Sequence, residues 1–124
     1  MTFDEYRQQD ATGLIQFVKN KEVTAAELME LAIQRAEAVN PQINAIIDPL
    51  FEYGRQKAKE STLDQAFAGI PFLLKDLGLA MKGRPTRSGV KPMQEYNYPL
   101  DSHLVTAFEQ QGLSILGKTN TPEM

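Results

Sequence analysis

A short apolar segment that ends in a pair of charges is the feature that most constrains how this 124-residue chain can fold. The segment is GIPFLLKD, residues 69–76, with glycine and proline near its start and Lys75 and Asp76 at its end. Buried strands of α/β proteins have this pattern, a continuous apolar run bounded by residues that favour turns. The sequence therefore predicts a buried strand that ends at Lys75. Because ligands of open α/β sheets bind at the carboxyl ends of strands, Lys75 is the first candidate functional residue.

A second apolar segment, LSILG at residues 113–117, predicts another buried strand. The residues before it have the pattern of a helix, which Asp101 or Ser102 can cap at its amino end and Gly112 at its carboxyl end. The inner face of this helix consists of Leu104, Val105 and Phe108. A strand, a helix and a strand in this order form a βαβ unit, whose two strands are parallel neighbours.

The first half of the chain has the apolar periodicity of helices. One predicted helix covers residues 10–19, and another runs from about Pro49 to Glu60, where proline suits the first turn. The apolar face of the first helix consists of Leu14, Phe17 and Val18. The predicted fold class is therefore α/β, with a helical part at 1–60 and a βαβ unit at 69–117 in a single domain.

A helix between these two has a clear start signal. Thr24 and Glu27 form a capping box, in which the threonine hydroxyl accepts from the amide of residue 27 and the glutamate reaches back. The helix is predicted to end near Asn40, because Pro41 disfavours helical geometry at the residue before it.

Composition and charge argue against several classes of function. The net charge is −3 and the pI is about 5.1, whereas a nucleic-acid-binding protein usually has a basic face. The chain has no cysteine and one histidine, His103, which argues against a metal site and against a Ser-His-Asp triad. No stretch approaches the ~20 apolar residues of a membrane helix, and the first residues are acidic where a signal peptide would be basic. We therefore expect a soluble, cytoplasmic protein with no cofactor, no metal, no nucleic-acid partner and no membrane partner.

Several segments together resemble the amidase signature family of serine hydrolases. The matching segments are DATGL (10–14), VTAAEL (23–28), NPQINA (40–45), GIPFLLKD (69–76), DSHLV (101–105) and GKTN (117–120). Each is short, and the resemblance lies in their order and spacing over almost the whole chain. Within it, residues 69–76 correspond to the strand that bears the catalytic lysine of the family.

The resemblance implies an α/β/α fold around a large mixed sheet and the hydrolysis of carboxylic amides. The family mechanism uses a nucleophilic serine, a bridging serine with a cis peptide and a lysine, and of these three the lysine corresponds to Lys75. The segment with both serines would lie beyond Met124. Residues 1–124 would then be the N-terminal part of a longer amidase domain, and we expect this chain alone to be inactive towards amides.

Lys75 also has an interpretation that involves no chemistry. From the spacing alone, a lysine that ends a strand beside Asp76 is ordinarily a solvated charge or a weak ion pair. The base of a serine amidase must instead be neutral, a form that burial favours by lowering the pKa of a lysine from its solvated value of ~10.4. The resemblance favours the base, and we expect Asp76 to orient the backbone or nearby polar groups.

Other candidate site residues have structural explanations that we prefer. Ser88 could be a nucleophile but lies in a glycine-containing turn, and His103 could be a base but stands at a helix start. GLSILGKT, residues 112–119, fits the pattern of a phosphate-binding loop, yet 113–116 has the pattern of the strand itself, so we reject nucleotide binding. A positive cluster that could steer an anionic substrate, and is more simply a solvated loop, consists of Lys82, Arg84, Arg87 and Lys91.

The predicted function is amide hydrolysis with a small-molecule amide as the substrate. One alternative within the same resemblance is the glutaminase subunit of a tRNA-dependent amidotransferase. An alternative of a different class is a non-catalytic interaction or assembly module. A sheet of two strands would expose apolar surface around Ile70–Leu74 and Leu113–Leu116, so we also expect self-association or a homo-oligomer.

Overall fold

The computed structural model describes residues 1–93 and 95–122, in which helices pack against a small sheet. The helices are α1 (Phe3–Arg7), α2 (Ala11–Lys19), α3 (Ala25–Ile43), α4 (Phe51–Glu60) and α5 (His103–Gln110). The strands are β1 (Ile46–Pro49), β2 (Pro71–Lys75) and β3 (Ser114–Thr119), and a 3-10 turn covers Lys91–Met93. None of the described helices combines the length and the apolar character that crossing a membrane requires.

The sheet is mixed, with the strand order β1-β3-β2. β2 and β3 run parallel, as the predicted βαβ unit requires, whereas β1 runs antiparallel to β3. The predicted α/β class and the parallel pairing of the two strands are therefore confirmed. β3 occupies the centre of the sheet, and β2 is one of its edges within the described residues.

The sequence patterns do not predict β1. Its four residues, IIDP, are too few for alternation of apolar and polar side chains to identify a strand. Pro49 lies in this strand, opposite Gly117 of β3, so α4 begins at Phe51 rather than at the predicted Pro49. Proline is tolerated there because an edge strand does not need every backbone donor.

The predicted end of α3 near Asn40 is wrong, since the helix continues through Pro41 to Ile43. Proline removes one intrahelical hydrogen bond, and the turn that follows compensates for it. Asn44 adopts a left-handed conformation with φ of 47°, and its amide donates to the Asn40 carbonyl oxygen at 2.8 Å. The Asn40 side chain accepts from the amide of Ile46 at 2.7 Å and donates to the carbonyl oxygen of the same residue at 2.9 Å. These bonds fix the turn between α3 and β1.

Side-chain caps begin four of the described helices, of which α1, α2 and α3 come first along the chain. The predicted capping box of α3 is confirmed, because the Glu27 amide donates to Thr24 Oγ1 at 3.1 Å and the Thr24 amide donates to Glu27 Oε2 at 2.8 Å. Asp10 caps α2 in a similar way and accepts from the Gly13 amide at 2.8 Å. Thr2 forms a second capping box at the start of α1, a helix that the sequence patterns do not predict.

The two candidate caps of α5 have different roles. Ser102 is the cap, with its Oγ accepting from the Val105 amide at 3.4 Å. Asp101 instead accepts from the amide of Lys82 at 2.6 Å and so ties the loop after β2 to the start of the helix. At the other end, Gly112 has a φ of +89°, which explains why glycine follows this helix.

Apolar side chains pack on both faces of the sheet. One face includes Met29, Ile33, Ala58, Leu73 and Leu116. The other includes Phe72, Leu74, Val105, Phe108 and Ile115. A further cluster joins α2 to the segment before β2 and includes Leu14, Val18, Val23, Leu28, Ala68 and Ile70. The division follows from strand geometry, because successive side chains such as Leu73 and Leu74 point to opposite faces.

A glycine within α4 allows this helix to approach β3 closely. A Cβ atom at Gly54 would lie 3.0 Å from the Cβ of Leu116. Glycine inside a helix costs about 1 kcal/mol relative to alanine, so its presence here reflects the contact with the sheet.

Candidate active site

Lys75 is the last residue of β2, and its side chain is exposed. In the parallel ladder it stands beside Thr119 of β3. The Thr119 hydroxyl donates to the carbonyl oxygen of Leu74 at 3.4 Å and so links the ends of the two strands. The predicted position of Lys75, at the end of a strand, is confirmed. The strand is less buried than predicted because it lies at an edge of the sheet, and Leu74 is its one fully buried residue.

Lys118, beside Leu74 in the same ladder, is fully buried. Its Nζ lies 3.1 Å from Oδ1 of Asp76. The same ammonium group donates to the carbonyl oxygen of Pro85 at 2.7 Å and to Oγ1 of Thr86 at 2.8 Å. A buried charge needs such partners, because an unpaired charge in the interior is very costly.

The sequence analysis did not identify Lys118 as a site residue. The predicted strand ended at Gly117, one residue before it, whereas β3 extends to Thr119. A usable signal was present, because a strand with apolar residues on both faces is buried on both faces. A lysine within such a strand must be buried too, and it then requires an acidic partner.

Asp76 follows β2 directly and is fully buried. Its Oδ1 faces Lys118, and its Oδ2 accepts from the amide of Arg87 at 3.0 Å. Its main-chain oxygen accepts from the amide of Ser88 at 2.9 Å. These contacts agree with the prediction that Asp76 orients backbone and polar groups. They also bring the loop at 85–88 over the carboxyl ends of β2 and β3.

Burial lowers the pKa of Lys118 below its ordinary value. The carboxylate of Asp76 opposes that change by hydrogen bonding and by its charge. Asp48 raises the pKa of Lys118 through its charge, and Arg87 lowers it. Among the neighbouring side chains, Asp76 is therefore the one that most favours the protonated form of Lys118.

The positive cluster of the loop lies partly beside Asp48 in β1. Nη1 of Arg84 is 4.0 Å from one carboxylate oxygen of Asp48, and Nη1 of Arg87 is 3.9 Å from the other. Lys82 and Lys91 are exposed. Lys82, Arg84 and Lys91 agree with the predicted solvated loop, whereas Arg87 is half-buried beside the buried carboxylate of Asp48.

Ser88 and His103 have the positions expected of structural residues. Ser88 has a φ of +52° in the turn, and its amide is the group that bonds to Asp76. His103 is the first residue of α5 and is exposed. Neither position indicates a nucleophile or a base.

The match to a phosphate-binding loop also has a structural explanation. Most of residues 112–119 forms β3, so there is no loop between a strand and a helix at this point. Across residues 1–93 and 95–122, no three side chains of the metal-binding types lie close enough together to hold a metal ion.

An apolar groove of about 400 Å³ lies between α1, α3 and the sheet. Its lining includes Phe3, Val39 and Leu73. The guanidinium carbon of Arg35 lies 5.3 Å from the centre of the Phe3 ring. Side chains two residues apart on a strand face the same way, so the groove is on the side of the sheet that Leu73 shares with Lys75.

The expected exposure of apolar residues around β3 is wrong. Leu113, Ile115 and Leu116 are buried because β1 and β2 flank this strand and helices cover it. Ile70 and Leu74 are buried as well. The large apolar side chains that are exposed among the described residues lie elsewhere and include Ile43, Leu63, Leu77, Leu100 and Leu104.

Comparison with known proteins points to one family. The family model described as Amidase matches residues 27–124. The 6-aminohexanoate-cyclic-dimer hydrolase of Paenarthrobacter ureafaciens is 42% identical over 118 residues, which cover 94% of this chain and 24% of that protein. A glutamyl-tRNA(Gln) amidotransferase subunit of Thermoanaerobacter pseudethanolicus is 31% identical over 116 residues, which cover 89% of this chain and 24% of that protein.

A solved structure of 6-aminohexanoate cyclic dimer hydrolase complexed with substrate matches this chain with a TM-score of 0.86 and 42% identity, over 94% of this chain and 24% of that one. The chain thus spans about a quarter of the length of the relatives it matches. The region matched by the family model includes Lys75, Asp76 and Lys118. Because that region covers well over half of the chain, the chain belongs to the Amidase family, the amidase signature enzymes that its segments resemble.

Proposed function

We propose that the protein containing this chain hydrolyses carboxylic amides and that Lys75 is the base of a Ser–cis-Ser–Lys mechanism. The observation that carries the proposal is the position of Lys75, an exposed lysine at the carboxyl end of β2 within the region that matches the Amidase family. Its neighbour Asp76 is engaged with Lys118 on the opposite face of the sheet. The two charges that end the strand therefore have separate environments.

The chemistry requires a base beside the attacking serine. A serine hydroxyl is a poor nucleophile unless a neighbouring group takes its proton. In the proposed mechanism the nucleophilic serine passes its proton through the bridging serine to neutral Lys75 as it attacks the amide carbonyl. The proton then returns to the leaving amine. No metal ion and no cofactor take part.

The proposal also sets a condition on the working enzyme. A lysine in water is mostly protonated at neutral pH and cannot accept a proton. Substrate or other parts of the protein must therefore shield Lys75 from water during catalysis, since loss of hydration favours the neutral amine.

We further propose that residues 1–124 form the N-terminal part of one amidase domain and do not hydrolyse amides alone. The resemblance assigns both serines to positions beyond Met124, and the chain covers 24% of the hydrolase from Paenarthrobacter ureafaciens. Purified residues 1–124, incubated with small amides, should release no amine above background. Release that depends on Lys75 would contradict this proposal.

Substitution of Lys75 in the intact protein tests the assigned base. Lys75→Ala should lower kcat by about 10²–10⁴-fold, the usual contribution of general acid–base catalysis. Lys75→Arg should be similarly inactive, because arginine stays protonated and cannot act as a base. Lys82→Ala, at an exposed loop lysine, is the matched control and should retain activity.

Substrates for this test are small linear amides together with the cyclic dimer of 6-aminohexanoate. The cyclic dimer is included because a 42% identical relative is named for its hydrolysis. Normal turnover by Lys75→Ala, with any substrate that the wild-type protein hydrolyses, would refute the assignment of the base.

A second candidate function is that of the glutaminase subunit of a tRNA-dependent amidotransferase. The 31% identity to a glutamyl-tRNA(Gln) amidotransferase subunit favours it. Ammonia release from glutamine by the intact protein, dependent on partner subunits and charged tRNA, would support this candidate. Hydrolysis of free amides without partners would support the amidase.

A third candidate function is that of a non-catalytic assembly module. The gene sequence after Met124 distinguishes this candidate from the amidase and from the glutaminase subunit. A glycine- and serine-rich segment downstream supports the enzyme, because the resemblance places the nucleophile there. A stop codon at this point supports the module.

We also propose that isolated residues 1–124 self-associate through the outer edge of β2. β2 pairs with β3 on one side, and within the described residues no strand covers the other side. An unpaired strand edge is a template for pairing with another chain. Sedimentation velocity over a range of concentrations should detect dimers or larger species, whereas a monodisperse monomer would contradict the proposal.

A further inference from the structure

We propose that Asp76 and Lys118 position Lys75 for catalysis by fixing the loop at 85–88 against the end of β2. This inference rests on the proposed catalytic role of Lys75. The set formed by Asp76, Lys118 and residues 85–88, of which Asp76, Lys118, Pro85 and Thr86 are buried, is called the clasp below. Asp76 and Lys118 are positioning residues, because their charged groups contact each other and the loop.

Complete burial of two opposite charges suggests a role beyond stability. Asp76 and Lys118 are each 0% exposed, and their charged atoms are 3.1 Å apart. Buried ion pairs rarely stabilise a fold more than apolar residues of similar volume would. What such a pair does provide is geometry, since each charged group accepts only partners in defined directions.

The clasp joins three parts of the chain through one ammonium group. Lys118 lies in the central strand, and its Nζ donates to the Pro85 carbonyl oxygen at 2.7 Å and to Thr86 Oγ1 at 2.8 Å. The Thr86 hydroxyl in turn donates to the carbonyl oxygen of Leu79 at 3.3 Å. The amide of Arg87 donates to Oδ2 of Asp76 at 3.0 Å. Movement of the loop would therefore break bonds to both buried charges.

The main chain is held on each side of Lys75. Before it, the Leu74 carbonyl oxygen accepts from the Thr119 hydroxyl at 3.4 Å. After it, the Asp76 carbonyl oxygen accepts from the amide of Ser88 at 2.9 Å. With both neighbouring peptide groups fixed, the Lys75 side chain starts from a defined position at the end of β2.

Backbone strain in the loop is consistent with an imposed geometry. Ser88 has a φ of +52°, a left-handed conformation that non-glycine residues adopt at a cost. The amide of this strained residue is the donor to Asp76. Such strain persists where surrounding contacts determine the conformation, and the clasp supplies those contacts.

Kinetics of the intact protein separate positioning from stability. Asp76→Asn keeps the shape of the side chain and removes its charge, and Lys118→Met keeps its length and removes its donors. Both variants should lower kcat by about 100-fold, the cost of a misplaced catalytic group, and change KM less than kcat. Ile33→Ala is the matched control, because Ile33 is fully buried in α3 away from the clasp. It should lower the melting temperature and leave kcat of the folded protein normal.

Hydrogen exchange gives a readout that does not depend on activity. The amides of Arg87 and Ser88 donate to Asp76, so they should exchange faster in both clasp variants. Amides within α2, which lies outside the clasp, should exchange as in the wild type. Unchanged exchange at Arg87 and Ser88 in folded Asp76→Asn and Lys118→Met would overturn the clasp.

A milder variant keeps the test decisive if Lys118→Met does not fold. Thr86→Val preserves side-chain volume and removes one acceptor of Lys118, and it should lower kcat roughly tenfold, as expected for a lost hydrogen bond to a charged group. Normal kcat in folded Thr86→Val and Asp76→Asn would overturn the inference.

The outcome at Lys75 shows which proposal has failed. If Lys75→Ala is inactive while the clasp variants retain normal kcat, the positioning role is wrong and the catalytic role of Lys75 stands. If Lys75→Ala is active, the proposed function fails and the positioning role fails with it.

Discussion

Two lysines that lie close together at one end of the sheet differ in their exposure to solvent. Lys75 ends the edge strand β2 and is exposed, whereas Lys118, in the central strand β3, is fully buried. Their positions in the ladder are adjacent, because Lys118 stands beside Leu74 and Lys75 stands beside Thr119. Successive side chains of a strand point to opposite faces, so the two lysines lie on opposite sides of the sheet. Lys75 is exposed because it ends an edge strand, whereas Lys118 lies in the central strand in contact with Pro85 and Thr86.

This difference shows that sheet position decides what a lysine can do. The exposed lysine is open to solvent, and it is the base in the mechanism proposed above. The buried lysine has its donors committed to Asp76, Pro85 and Thr86. In the proposed mechanism, one face of the strand ends offers the reactive amine and the other fixes the chain that carries it.

The largest expected difference between the two lysines is in stability. In the intact protein, Lys118→Met should destabilise the fold by about 3–5 kcal/mol, because it leaves a buried Asp76 without its counter-charge. Lys75→Met should change the free energy of unfolding by no more than about 0.5 kcal/mol, as expected at an exposed site. Urea denaturation of both variants measures the contrast, and equal losses of stability would contradict it.

Removal of both charges should weaken the contrast. The double variant Asp76→Asn/Lys118→Met retains an acceptor for the Arg87 amide and has no unpaired charge. It should be more stable than Lys118→Met alone by about 2 kcal/mol, because most of the single-variant penalty comes from the isolated carboxylate. Strictly additive losses in a double-mutant cycle would show that Asp76 and Lys118 do not interact.

A smaller effect should depend on pH. Burial lowers the pKa of Lys118 in the folded state, so between that pKa and the ordinary lysine value the unfolded chain binds more protons. Stability therefore rises with pH in the alkaline range just below ~10.4. Lys118→Met lacks this group, so the stability of the wild type relative to this variant should increase as pH rises through that range. A flat difference would contradict the direction of the shift.

The smallest effect is expected for an arginine at the rim of the same sheet end. Arg84 is exposed, and its guanidinium group lies 4.0 Å from the Asp48 carboxylate. Arg84→Met should change the free energy of unfolding by no more than about 0.5 kcal/mol, because its guanidinium group is exposed and Arg87 still lies beside Asp48. A loss as large as that of Lys118→Met would mean that burial is not what separates these cations.

Signals from neighbouring residues predicted much of the fold. The capping box at Thr24 and Glu27 and the glycine after α5 depend only on residues a few positions away in the chain. Their effects can therefore be predicted from the sequence without the fold. The apolar segments around Leu74 and Ile115 became parallel strands as predicted. The position of Lys75 at a strand end was predicted from the first of these segments, because the sequence itself shows that Lys75 follows an apolar run.

Non-local pairing explains what the sequence analysis missed. β1 is four residues long and exists because it pairs with β3, far along the chain. Pro41 carries a local stop signal, and the bonds from Asn40 to Ile46 override it. The sequence analysis gave Lys118 no role in the site because the apolar run ended one residue earlier, and the extension of β3 depends on its partners on both sides.

The sequence by itself determined α2 to α5 apart from the end of α3 and the start of α4, the two apolar strands, the family resemblance and the place of Lys75 at a strand end. The tertiary structure decided the strand order β1-β3-β2, and with it the burial of Lys118 and its pairing with Asp76. The reason is physical. Helix caps and apolar runs depend on interactions between near neighbours, whereas the burial of a charged side chain depends on which distant segments pack around it.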